Sequence, residues 1–154
     1  MASLDVTDLK ILQLLQQDAL MTNKDIAARL NLTTTPVHER IKRMERDGVI
    51  EQYTVILNKS KLGKSLTVFC DISLKEHATE FLAQFENDVM LLPEVVECYC
   101  VSGHSDFLLK VLVKDMDEYR EFILHKLAAI KNIGNAQSHF VMSEAKNSTF
   151  LPLQ

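Results

Sequence analysis

NKDIAARLNLTTTPVHERIKRMER, residues Asn23 to Arg46, divides into two short helices around a polar turn. Ile26 and Leu30 on the first helix, Leu32 in the turn, and Val37, Ile41 and Met44 on the second close one small apolar core. Ala27 and Ala28 stand where two steeply crossing helices need small side chains. Asn31 falls at the sharp turn, and asparagine is among the few residues besides glycine that tolerate a left-handed backbone. This is the pattern of a helix-turn-helix, whose second helix enters a DNA major groove.

Working outward, each helix start in the first third has an N-cap and a hydrophobic staple. Asp5 caps with Asp8 at the third position while Leu4 meets Leu9. Thr22 caps with Asp25 third, and Met21 meets Ile26. Thr33 caps the third helix, and Leu32 meets Val37. Pro36 lies in that helix's first turn, where its missing N–H would have had no intrahelical partner. Gly48 is the expected left-handed residue after the last helix. Val49 to Leu57, VIEQYTVIL, is rich in β-branched and aromatic residues and is expected to be a strand. The polar, glycine-punctuated run Asn58 to Lys64 sets the expected boundary: a helix-turn-helix domain over 1–60, including the linker strand, and a second domain over 61–154.

The second half alternates in type. Ser65–Leu74 is expected as a strand with Leu66, Val68, Cys70, Ile72 and Leu74 on one face. Ala78–Leu92 reads as a helix with Phe81, Leu82, Phe85, Val89 and Leu92 inward. Strands are expected over Val95–Ser102 and Phe107–Val113, joined by the turn Gly103 to Asp106. A helix over Met116–Ile130 places Tyr119, Phe122, Ile123, Leu127 and Ile130 inward, and Ala136–Met142 closes the set as a strand. The order βαββαβ is the ferredoxin-like arrangement, a four-stranded antiparallel sheet with both helices on one face. The fold class is therefore α+β: an N-terminal three-helix, winged-helix-like unit and a C-terminal ferredoxin-like domain. The sheet's other face is left uncovered. Phe69, Tyr99, Val101, Leu108, Leu112 and Val141 are assigned to it, and such an apolar face is a partner surface. Dimerisation through it is the first expectation.

Composition excludes several classes. Hydrophobic residues are 47% and charged residues 25%, as in a globular domain. No apolar run approaches the roughly 18 residues of a membrane span. The opening MASLDVTDLK has no basic region before its apolar stretch, so it does not read as a signal peptide. The 3 cysteines include no C-x-x-C and argue for a reducing compartment, hence the cytoplasm. Cys98 and Cys100, two apart on a strand, are expected to be buried free thiols. The 5 histidines have no ligand spacing, so no metal is expected. No phosphate loop, nucleophile elbow or carboxylate pair is present, so the chain does not read as an enzyme, and no cofactor is expected. The net charge of −4 belongs entirely to the second part, because residues 1–50 hold 7 basic and 7 acidic side chains. Residues 33–46 carry four basic and two acidic groups, and at cellular salt this local excess outweighs a distant acidic body.

A helical wheel gathers Val37, Ile41 and Met44 into one arc. Thr34, Thr35, His38, Glu39 and Lys42 are assigned to base edges, Arg43 and Arg46 to phosphates. Arg40 falls near the core edge and is expected to pack or pair. The rival reading is an ordinary amphipathic helix with Glu39 and Arg43 as a solvated pair.

With both halves placed, the sequence resembles the Lrp/AsnC family, the leucine-responsive and feast/famine transcriptional regulators. The resemblance rests on Leu4-Asp5, on Thr35-Pro36-Val37-His38-Glu39-Arg40 and on Arg43-Met44-Glu45-Arg46-Asp47-Gly48-Val49-Ile50. It continues through Val101-Ser102-Gly103-His104-Ser105-Asp106-Phe107-Leu108-Leu109-Lys110 and is nearest the leucine-responsive branch. It implies DNA-binding regulation, dimers that often assemble into octamers, and a small amino acid held by the second domain between dimers. One departure is Ser105, where members commonly carry an aromatic residue. On this resemblance the loop Ser102, Gly103, His104, Ser105 and Asp106 is the expected effector site, with Asp106 taking the ammonium group. Gln137 and Ser138, with Asn135 nearby, complete it from a neighbouring subunit. From the residues alone, the same loop reads rather as a hairpin turn in which Asp106 caps its own backbone. A dimer presents two recognition helices to a pseudo-palindromic operator. The alternative is an architectural, chromatin-like DNA organiser with little sequence specificity and no effector.

Overall fold

The computed structural model describes residues 3–153. The chain divides into two compact units, Met1–Ile56 with Lys146–Gln154, and Leu57–Ala145. The expected division at residue 60 differs at both ends, because the last segment groups with the first unit. The reason is local: Gln16 Nε2 donates to the Leu151 carbonyl at 3.1 Å and Gln16 Oε1 accepts from Leu151 N–H at 2.6 Å. One side-chain amide thereby satisfies both backbone groups of a tail residue.

In the first unit α1 spans Val6–Gln17, α2 Asn23–Leu30 and α3 Thr34–Arg46. The Asp5/Asp8 capping box forms in full, and Thr22 accepts from Asp25 N–H. Thr33 occupies the third N-cap position without a side-chain capping bond. Asn31 turns the chain at φ 55° and Gly48 ends α3 at φ 71°. Ile11, Ile26, Ala27, Val37, Ile41 and Met44 form the core. Ala28, expected at the helix crossing, is exposed.

α1 and α3 are joined by charge as well as packing. Asp8, its side chain 1% exposed, accepts from Arg40 Nη1 at 2.7 Å and from Arg43 Nη2 at 2.5 Å. Arg40 also reaches Asp5 at 2.6 Å, which fulfils its expected pairing role. The Asp8 N–H first, and Arg40 second, hold the Asp5 carboxyl below its ordinary value. Its contribution to stability is therefore present at neutral pH and is lost as pH falls through that lowered value.

The expected strand over Val49–Leu57 does not form within the chain: residues 51–58 have no secondary structure, and Val55 and Ile56 are 74% and 78% exposed. β propensity makes a strand only where a neighbouring backbone completes the ladder. Among the described residues of this single chain none does.

The second unit opens with a 3₁₀ turn, Lys59–Leu62, then β1 Leu66–Leu74, α4 Thr79–Met90, β2 Val95–Cys100, β3 Phe107–Val113, α5 Met116–Glu121 and β4 Ile133–Phe140. The 4 strands lie in the order β2-β3-β1-β4, all antiparallel. This is the expected ferredoxin-like sheet. The last strand begins at Ile133, earlier than expected. The helix expected to run unbroken to Ile130 instead leaves α5 through a π turn at Phe122–Lys126 and a 3₁₀ turn at Leu127–Ala129. Phe122 and Leu127, five apart, are both buried, and a π turn brings such a pair to one side where an α-helix would splay them.

Alternation along the central strands separates two faces. Val68, Cys70, Ile72 and Leu74 of β1 and Phe107, Leu109, Val111 and Val113 of β3 are buried with Phe85, Val89, Tyr119, Phe122 and Leu127. Phe69, Asp71, Leu108, Lys110 and Leu112 point to the other face and are half-buried, while Tyr99 there is exposed. Cys98 and Cys100, on edge strand β2, are exposed, against expectation.

Beneath the sheet the Tyr119 hydroxyl lies 3.1 Å from Cys70 Sγ and 2.5 Å from Ser138 Oγ. Burial pushes the Tyr119 phenol and the Cys70 thiol up, so both stay protonated at neutral pH.

Two stability outcomes follow from these contacts. Asp8→Asn removes the charge that holds two arginines of α3. Because the arginines are partly solvated, the expected loss is about 2 kcal/mol rather than the larger cost of a fully buried pair, measured by urea unfolding. Tyr119→Phe keeps the ring and loses its hydrogen bonds, with an expected loss of about 1 kcal/mol in the same assay. No loss in either variant would contradict the role given to that side chain.

Candidate functional site

α3 carries all seven residues assigned to DNA, and its packing decides which remain available. Thr34, Thr35, His38 and Glu39 are exposed in its first two turns. His38 Nδ1 accepts from Asn23 Nδ2 at 3.1 Å, a bond that ties α3 to the start of α2. Asn23 was not legible as a site residue; its place at the first position of α2, facing the turn, was the only signal. Lys42 and Arg46 are exposed, with Lys42 Nζ 2.7 Å from Glu45 and Arg46 Nε 3.4 Å from Asp47. Lys42 beside Glu45 holds that carboxyl below its ordinary value, and the Tyr53 hydroxyl donates to it at 3.1 Å.

Arg43, assigned to a phosphate, is placed with its guanidinium on Asp8 and its side chain 39% exposed, and it does not pair with Glu39 as the rival reading has it. The cause is the buried Asp8 carboxylate, which requires compensating charge and lies within reach of both Arg40 and Arg43. The uncovered face of α3 is thus a row of Thr34, Thr35, His38, Glu39, Lys42 and Arg46. It offers hydroxyl, imidazole, carboxylate and ammonium groups of the kinds that read base edges and phosphates.

In the second unit the loop between β2 and β3 holds Ser102, Gly103, His104, Ser105 and Asp106. Gly103 has φ 136°, outside the range of ordinary side-chain-bearing residues. Asp106 Oδ2 accepts from Leu74 N–H at 2.7 Å and from His77 Nε2 at 3.1 Å. Its backbone N–H donates to the Ile72 carbonyl at 2.8 Å. Asp106 therefore fixes the loop to the end of β1, through a backbone group outside its own turn. Ser105 is buried, and its hydroxyl donates to Asp71 Oδ1 at 3.3 Å. Asp71 Oδ2 accepts from His139 Nε2 at 2.9 Å and lies 4.0 Å from His104 Nε2. Ser73 Oγ donates to the His104 carbonyl at 3.3 Å.

Gln137 is the cross-strand partner of Asp71 and shares its face with the loop. Ser138 points the other way, to Tyr119 beneath the sheet, so it does not join the cluster as expected. The hub that brings the loop and β4 together is Asp71, which the sequence reading missed. Its signal was a lone carboxylate in the otherwise apolar strand LTVFCDISL, on the alternate face from the core residues. His77 and His139 were missed because their partners are distant in sequence. Among the described residues no group of three His, Cys, Asp or Glu side chains is arranged to hold a metal ion. No helix among them is long and apolar enough to cross a membrane.

Comparison with known proteins matches these two units separately. Residues 4–51 match a winged helix-turn-helix DNA-binding domain, and residues 67–151 match the Lrp/AsnC ligand binding domain. The leucine-responsive regulatory protein of Escherichia coli strain K12 is 38% identical over 151 residues, covering 98% of this chain and 92% of its own length. An AsnC family transcriptional regulator from Agrobacterium tumefaciens is 40% identical, with a TM-score of 0.92 and 97% of each chain covered. A transcriptional regulator from Neisseria meningitidis, solved as a complex with L-methionine, is 34% identical, with a TM-score of 0.92 and the same coverage. A DNA-reading helix with a clear outer face, joined in one chain to a ferredoxin-like ligand-binding domain, places this protein in the Lrp/AsnC family of DNA-binding transcriptional regulators.

Proposed function

We propose that this regulator binds a pseudo-palindromic operator as a dimer and responds to a small amino acid at the loop Ser102 to Asp106. The observation that carries the DNA part is the division of α3 into a clamped inner side and an open outer side. Thr34, Thr35, His38, Glu39 and Lys42 read base edges, while Lys42 and Arg46 supply phosphate contacts. Arg43 sets the pitch of the helix through Asp8 and is withdrawn from the phosphate set. One such head neutralises few phosphates, so useful affinity at cellular salt requires two heads on one duplex.

The half-buried apolar face of the sheet, with Phe69, Leu108 and Leu112, supports pairing of two chains through it. The exposed apolar run Val55 to Leu57 supports further burial against another chain, and dimers assemble to octamers on this reading. A bound amino acid changes regulation by favouring one assembly over another, since a ligand shifts only the equilibrium between states it binds unequally. The chain acts in the cytoplasm, without a cofactor and without catalysis.

Selection of a duplex from a random pool, followed by anisotropy titration, tests the DNA reading. The selected duplex is expected to bind at least about a thousandfold more tightly than random DNA. Lys42→Ala is expected to lower the salt slope by about two, one for each head of the dimer, and His38→Ala to relax preference at one base pair of each half-site. Equal binding of all duplexes would instead identify an architectural, chromatin-like organiser.

A further inference from the structure

We propose that Asp71, with His139 and His104 over it, is the side-chain subsite of the effector site. It selects an amino acid whose side chain donates a hydrogen bond (an amide, ammonium or guanidinium group) over an aliphatic one. The inference rests on the loop being the effector site, and it names what that site takes. It differs from what the names of the relatives describe, which are leucine and methionine.

Two aspartates meet at this end of the sheet, and they are engaged differently. Asp106 is tied to the fold, because its carboxylate accepts from the Leu74 backbone N–H at 2.7 Å. Asp71 is held only by side chains. Ser105 reaches it at 3.3 Å, His139 at 2.9 Å with a side chain 51% exposed, and His104 stands at 4.0 Å with a side chain 85% exposed. Each of these can turn away without disturbing the ladder, so their place on the carboxylate is exchangeable for a ligand N–H. The Asp71 side chain itself is 20% exposed, on the open face and opposite Gln137.

The charges around it set the preference. On this face the next register along β1 is neutral Phe69, flanked by Lys110 on β3, which is occupied at 2.7 Å by Glu97 of β2. On the loop side lie Asp106 and His77, paired with each other. Among the described residues the partners of Asp71 are Ser105, His139 and His104, with no lysine or arginine beside it. The cluster is therefore rich in acceptors. An aliphatic side chain placed there displaces the donors and leaves a carboxylate without partners, which costs more than its apolar contact with Leu108 returns. A donor side chain replaces what it displaces.

The test is calorimetric titration of the full-length protein with L-glutamine, L-asparagine, L-lysine, L-arginine, L-leucine and L-methionine. At least one donor-bearing amino acid is expected to bind about tenfold to hundredfold more tightly than leucine and methionine, the size of one charge-assisted hydrogen bond. That preference is expected to disappear in Asp71→Asn. His139→Gln, which keeps a donor beside the Asp71 carboxylate, is expected to keep it. Tighter binding of leucine or methionine overturns the subsite while leaving the amino-acid reading intact. A preference unchanged in Asp71→Asn also overturns it. Failure of all six to bind at millimolar concentration overturns the effector reading on which it rests.

Discussion

A single buried carboxylate orients the DNA-binding unit. Asp8 has almost no contact with water, and an isolated charge in that position would be strongly unfavourable. It is tolerated because Arg40 and Arg43, one turn apart on α3, converge on it from one side. The consequence is geometric more than energetic: two guanidinium forks fix both the rotation and the height of α3 against α1. Rotation decides which side chains face outward, so the reading surface is set by residues that do not read. The same clamp explains why the local positive charge counted along the sequence overstates what DNA meets, since two of its four basic groups are already neutralised.

In the second unit the corresponding constraint is the pleat of β1. Residues one apart on this strand serve unrelated ends: Cys70 and Ile72 pack beneath the sheet, while Phe69, Asp71 and Ser73 belong to the open face. The loop after β2 is held to this strand by Asp106, so its position follows from the register of β1 against β3. Shape and chemistry at that end of the sheet are thus inherited from strand pairing, with few side chains given over to holding the loop itself.

Much of the fold was legible because the signals were local. Capping residues lay beside the apolar periodicity they interrupt, as at Asp5, Thr22 and Gly48, and alternation over Leu66 to Leu74 marked a strand with two distinct faces. What escaped was the long-range part. A helical wheel places Arg43 on a flank but cannot show that Asp8 lies within its reach. Spacing rules found no relation among His77, His104 and His139, yet the sheet brings all three to two aspartates. Ser138 lies a single step of the pleat from Gln137, which is enough to move its side chain to the opposite face. The linker at residues 51–58 has the composition of a strand, and composition carries no information on whether a partner backbone is present.

The amide of Gln16 gives the chain an unusual order of completion. Because it holds the backbone of Leu151, the last segment belongs to the unit encoded first, and Leu57–Ala145 is topologically an insertion within it. During synthesis the three helices emerge early and can associate, as N-terminal units commonly do. Their full set of contacts is reached only when Leu151 has left the ribosome. The ferredoxin-like unit, encoded later, is complete before them, so the ligand-binding half of the protein is finished before the half that meets DNA.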